Sequence, residues 1–136
     1  MTTTTVHFSA VGLVVADMTR SLAFYRRLGI DMPESEDTAL HAEYALPGGL
    51  RLMWDTVDTV RSFDPDWQPP TGGPQIALAF DCTTPEGVDE LYAELTADGY
   101  TGTQKPWDAF WGQRYSSVQD PDGNSVDLFA ALPVSG

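Results

Sequence analysis

Apolar residues change period in the same order twice along this chain, and that repetition limits the folds open to it. Val11, Leu13 and Val15 alternate with other residues, as a half-buried strand does, and Met18, Leu22, Tyr25 and Leu28 follow at helical spacing. Asp17 stands between them as an N-cap oxygen, and Gly29 stands where a left-handed residue closes a helix. Ile76, Leu78 and Phe80 alternate in their turn. Thr84-Pro85-Glu86 then supplies a cap, a helix-starting proline and a first-turn acid. Val88, Leu91, Tyr92 and Leu95 form the second helical stripe, with Gly99 after it.

Strand-like runs follow each helix. In the first half, residues 39–46 and 50–54 flank Pro47-Gly48-Gly49, which predicts a hairpin, and a weaker strand is expected over 30–34. In the second half a strand over 101–106 leads into one over 114–119. Asp120-Pro121-Asp122-Gly123-Asn124 then forces a turn into a last strand over 125–132. The prediction is an α+β chain of two tandem βαβββ modules, about 7–55 and about 75–133, in a single domain of 136 residues. Neither module is large enough to bury a sheet face alone, so the two must pack on each other or on a partner chain. The connection over 56–74 carries Pro65, Pro69, Pro70, Pro74 and Gly72-Gly73. Phe63 and Trp67 within it either seal one end of the core or belong to a lid.

Charge bears on partners. Twenty acids against seven bases give a net charge of −13, a field that repels nucleic acid and anionic membranes and favours a neutral or cationic ligand. Part of that charge is a solvated helix face, since Glu86, Glu90 and Glu94 recur one turn apart. No run approaches the roughly 18 apolar residues that span a bilayer. The opening Met1-Thr2-Thr3-Thr4-Thr5 reads as a frayed polar tail rather than a secretory signal. The single Cys82 forms no internal disulfide, which fits a cytoplasmic location, and the neighbouring Asp81 argues against a reactive thiolate.

Two segments resemble a known family. Residues 11–29, ending in Ser21-Leu22-Ala23-Phe24-Tyr25-Arg26-Arg27-Leu28-Gly29, resemble the first strand and helix of the vicinal oxygen chelate superfamily. Trp111-Gly112-Gln113-Arg114-Tyr115 followed by Asp120-Pro121-Asp122-Gly123-Asn124 is similar to its glyoxalase and bleomycin-resistance branch. The superfamily spans isomerases, dioxygenases, transferases and non-catalytic drug binders, so the resemblance implies a fold before it implies an activity. It also implies curved mixed sheets around a cavity, and a homodimer with grooves formed jointly by both chains. Enzymes of the superfamily hold one divalent metal with a His or Gln from the first strand of each module and further ligands from the last strands. The matching positions here are Ala10, Gln75, Leu52 or Met53 depending on register, and Asp127. Only Gln75 and Asp127 suit such an ion. His7 would point away from the Ala10 face on a regular strand, and His41 is the other histidine.

Aromatic residues suggest a different site. Trp107, Phe110 and Trp111 crowd one strand connection and suit stacking on a flat ligand, with Trp54 and Trp67 as further walls. Tyr115, Asp127 and His41 are the polar candidates, and Arg114 is expected to pair with Asp127 or Asp120. No phosphate loop, nucleophile elbow or triad pattern occurs. The expectation is therefore metal-independent binding of an aromatic or cationic small molecule, similar to bleomycin-resistance proteins. The alternatives are a metal-dependent glyoxalase-like lyase or dioxygenase, and a cofactorless enzyme using Asp127 or His41 as base.

Overall fold

The computed structural model describes residues 4–134, so the first three residues of the expected polar tail lie outside it. The chain divides into two compact units, one running to Pro70 and the other starting at Thr71.

In unit one, β1 (Ala10–Val15) leads into α1 (Met18–Arg26). The Asp17 side chain caps that helix by accepting from the Arg20 N–H at 3.1 Å. A hairpin of β2 (His41–Ala45) and β3 (Arg51–Thr56) follows, closed by a turn at Pro47–Gly49. β3 is the central strand: β1 runs parallel to it on one side and β2 antiparallel on the other. Leu13, Val15, Leu52, Trp54 and Ala42 are buried with Met18, Leu22, Phe24 and Tyr25 of α1. Burying these side chains supplies the main driving force for this unit.

The strand expected over 30–34 does not form, and the sheet has three strands. Residues Glu34–Thr38 make a short 3-10 helix instead. The cause is Arg26, whose guanidinium donates to the Met32 carbonyl at 2.7 Å, to the Pro33 carbonyl at 3.0 Å and to the Asp37 carboxylate at 2.6 Å. With two carbonyls held by a side chain and no N–H on Pro33, this segment has little left to offer a neighbouring strand. The connection read as 56–74 opens with a second helix, α2 (Val57–Phe63), capped by the Thr56 hydroxyl, which accepts from the Thr59 N–H at 3.2 Å.

In unit two, β4 (Ala77–Asp81), α3 (Pro85–Ala97), β5 (Gly102–Ala109), β6 (Gln113–Gln119) and β7 (Ser125–Ala131) form the full βαβββ series. The sheet order is β4-β7-β6-β5, with β4 parallel to β7 and the other pairs antiparallel. α3 packs across β5, β6 and β7, burying Val88 and Leu95. Gly87 is required in the first turn of α3, because a Cβ there would lie 2.6 Å from the Cys82 carbonyl oxygen. β5 tolerates Pro106 because it is an edge strand whose register against β6 shifts on either side of Gln104. Asp120 ties the turn into β7: one carboxylate oxygen accepts from the Asp122 and Asn124 N–H groups and the other from the Asn124 side chain, each at 2.9 Å.

Candidate functional site

The sheet of unit two has two unlike faces. Ser116 and Val118 on β6, and Val126, Leu128 and Ala130 on β7, are buried on the α3 side. The alternate residues Tyr115, Ser117, Asp127 and Phe129 are half-buried on the far side. Register places Tyr115 opposite Phe129, Ser117 opposite Asp127, and Trp107 of β5 opposite Tyr115. The Asp127 carboxylate accepts two hydroxyl hydrogen bonds, from Tyr115 at 2.5 Å and from Ser117 at 2.7 Å. Burial, together with the Asp127 charge beside it, pushes the Tyr115 phenol up to about 12, so it holds its proton through the neutral range.

The β5–β6 turn brings in the rings. Gly112 adopts a φ of 91°, which lets the chain reverse directly after Phe110-Trp111. Trp111 then meets Trp107 at 5.5 Å, Phe110 at 5.0 Å and Tyr115 at 5.4 Å between ring centres, each nearly edge to face. Its indole N–H donates to the Gln113 side-chain oxygen at 2.8 Å. Phe110 is 91% exposed, Trp111 49% and Trp107 37%, so the cluster is a surface feature and not a core.

Five of the residues singled out in the sequence therefore come together in unit two: Trp107, Phe110, Trp111, Tyr115 and Asp127. The others lie in unit one. Trp54 is wholly buried, edge to face with Tyr25 at 5.7 Å, and its indole N–H has no hydrogen-bond partner. Trp67 follows α2, half-buried, with the Arg61 guanidinium 5.8 Å from its ring centre. His41 stands on the sheet face opposite Trp54. Its Nδ1 is 2.6 Å from Asp55 and its Nε2 2.8 Å from Glu43, while Arg51 donates to Glu43 at 2.6 Å. Glu43 and Asp55 together raise the His41 pKa.

Arg114 pairs with neither Asp127 nor Asp120. Strand alternation turns it toward α3, where it meets Asp89 at 2.9 Å and Asp108 at 3.0 Å. Asp127 is on the other face, and Asp120 is engaged in its turn. Burial pushes the Cys82 thiol up, away from thiolate character. Sequence reasoning passed over Ser117 and Gln113, although the two-residue period that selects Tyr115 also puts both on its face.

The positions matching the superfamily's metal ligands have different surroundings. Met53 shares the half-buried face of β3, whereas Leu52 belongs to the core. Ala10 begins β1, and Gln75 lies exposed two residues before β4. Among the described residues, no group of three His, Cys, Asp or Glu side chains converges as metal ligands. The two carboxylates at His41 bind opposite edges of its ring.

A repeated unit whose first and last strands pair in parallel, with an aromatic and polar sheet face, defines a protein of the vicinal oxygen chelate type. The chain belongs to the Glyoxalase/Bleomycin resistance protein/Dioxygenase superfamily, whose family model matches residues 6–128. Among solved structures, a glyoxalase/bleomycin resistance protein/dioxygenase family enzyme from Burkholderia phytofirmans PsJN is 22% identical, with a TM-score of 0.78 over 93% of this chain and 100% of that one. A glyoxalase-related enzyme from Fulvimarina pelagi is 20% identical, with a TM-score of 0.74 over 96% and 93%. A glyoxalase/bleomycin resistance protein/dioxygenase from Nocardioides is 23% identical, with a TM-score of 0.71 over 98% and 89%. At these identities the likeness is one of fold. No protein of curated function matches the chain in sequence. Among the described residues, no helix is long and apolar enough to cross a membrane.

Proposed function

We propose that this protein binds and sequesters a planar aromatic or cationic small molecule, without a metal, on the far face of the unit-two sheet. The observation that carries the reading is the half-exposed Trp107–Trp111–Tyr115 array beside Asp127. Rings held edge to face by their neighbours offer a preorganised surface to a flat ligand, at little entropic cost on binding. The net charge of −13 raises the concentration of cations around the protein as a whole.

The donor set does not fit the superfamily's divalent ion. Ala10 has no donor atom, and Met53 offers a soft thioether. Both oxygens of Asp127 already accept from hydroxyls. This counts against the alternative of a metal-dependent lyase or dioxygenase using Gln75 and Asp127. A homodimer with jointly lined grooves belongs to the same proposal, and sedimentation of the purified protein tests it.

Titrating chelator-treated protein with a fluorescent planar cation such as proflavine tests the binding reading. Saturable binding that is unchanged by added Zn, Ni, Mn or Fe supports it. Binding that appears only when one of those ions is restored overturns it.

A further inference from the structure

The hydrogen bonds already made at Asp127 limit what a ligand bound there must present. The carboxylate has roughly four lone-pair sites. Tyr115 spends its one hydroxyl proton on Oδ2, and Ser117 spends its one on Oδ1. What remains at this corner accepts and does not donate: the free lone pairs of Asp127, of the Tyr115 phenol oxygen and of the Ser117 hydroxyl. The neighbouring strand leaves room beside it, since Asp127 sits opposite Ala79 of β4, a residue with no side chain beyond Cβ. Other donors share this face but stand outside the corner: Gln104 lies opposite Ser117 on β5, Ser125 and Gln119 lie two residues along from Asp127 and Ser117, and at the Trp111 end lies the Gln113 amide. Its oxygen takes the indole N–H, which leaves its NH2 free to donate.

Resting on the binding reading above, we propose that the Tyr115–Ser117–Asp127 corner selects flat ligands carrying N–H donors, such as amidinium or guanidinium groups, over carbonyl or carboxylate ligands of the same shape. A carbonyl or carboxylate set against these three side chains meets only their lone pairs and sheds its water there without compensation. An N–H donor meets unspent acceptors, one of them charged. Charge alone does not satisfy the corner, so a quaternary ammonium that has no N–H gains less than an amidinium.

Three probes of one ring system separate these cases: naphthalene-2-carboxamidine, trimethyl(2-naphthyl)ammonium and naphthalene-2-carboxylate. The amidine is expected to bind about tenfold or more tightly than either of the others, the gap that one charge-assisted hydrogen bond confers. In Asp127→Asn the advantage over the quaternary ammonium should shrink to near unity. It should persist in Glu90→Gln, which makes the same change in net charge on the exposed face of α3. Equal binding of amidine and quaternary ammonium by the unaltered protein overturns the proposal while leaving an aromatic site standing. So does a preference that Asp127→Asn leaves intact. If none of the three probes binds, the binding reading itself fails and the selectivity falls with it. The rank order in the unaltered protein decides the matter even if Asp127→Asn does not fold.

Discussion

Truncating Trp111 separates a binding surface from a core, because its environment and that of Trp54 differ in a measurable way. A covered tryptophan removes roughly 150–250 Å² from water. Trp111 is 49% exposed, so about 100 Å² of it is covered, chiefly by Trp107, Phe110 and Tyr115. At about 25 cal/mol per Å² that coverage is worth at most about 2.5 kcal/mol. The unfolded chain already covers part of the same area, and the exposed Phe110 can settle into the gap. Trp111→Ala is therefore expected to cost about 1–2 kcal/mol. Trp54 is fully buried, and Trp54→Ala should cost about 3–5 kcal/mol. Urea denaturation followed by far-UV circular dichroism reads both losses on one scale. In parallel, proflavine affinity should fall about tenfold or more in Trp111→Ala, a loss of at least about 1.4 kcal/mol in binding. The reasoning fails if Trp111→Ala destabilises as much as Trp54→Ala, or if it leaves proflavine affinity unchanged.

Other expectations follow from the polar contacts. Hydrogen bonds to Glu43 and then Asp55 raise the His41 pKa above its ordinary 6.5. The stability this provides is complete below that value and is lost as pH rises through the higher folded-state value. Since His41 is largely solvated, the effect should stay below about 1 kcal/mol, and urea midpoints across the neutral to mildly alkaline range should flatten in His41→Asn. In an ultraviolet titration Tyr115 should ionise near 12. Asp127→Asn should lower that value only partway, because burial is the larger cause. Asp120→Ala removes three hydrogen bonds at a buried turn and should cost about 3 kcal/mol in thermal or urea denaturation. Asp120→Asn should recover part of that loss.

The elements legible in the sequence are those set by near neighbours. Asp17 and Thr84 cap their helices through contacts three residues away, and alternation alone separates Asp127 from Val126 and Leu128. What escaped depends on partners distant in the chain. Arg26 reaches forward to 32, 33 and 37 and occupies a segment whose composition suits a strand. Arg114 finds Asp89 on a helix twenty-five residues back. α2 was hidden for another reason: its β-branched residues and the prolines after it resemble a connection, although Thr56 is a legible cap. The aromatic side of the candidate site was visible from composition. Its polar side was half visible, because Tyr115 and Asp127 stand out while Ser117 looks like any strand serine.

The strand order of unit two also decides when it can be completed. β4 has a single neighbour, β7, so Ala77 waits for Ser125 and Asp81 for Phe129 before either is paired. Unit one has all three of its strands by Thr56. During synthesis, then, Ala77–Asp81 emerges with both edges unpaired and with Leu78 and Phe80 uncovered, and it stays so until the last strand is made. Asp81 at its end and the chain's net charge of −13 oppose association between such unpaired edges, as like charges do.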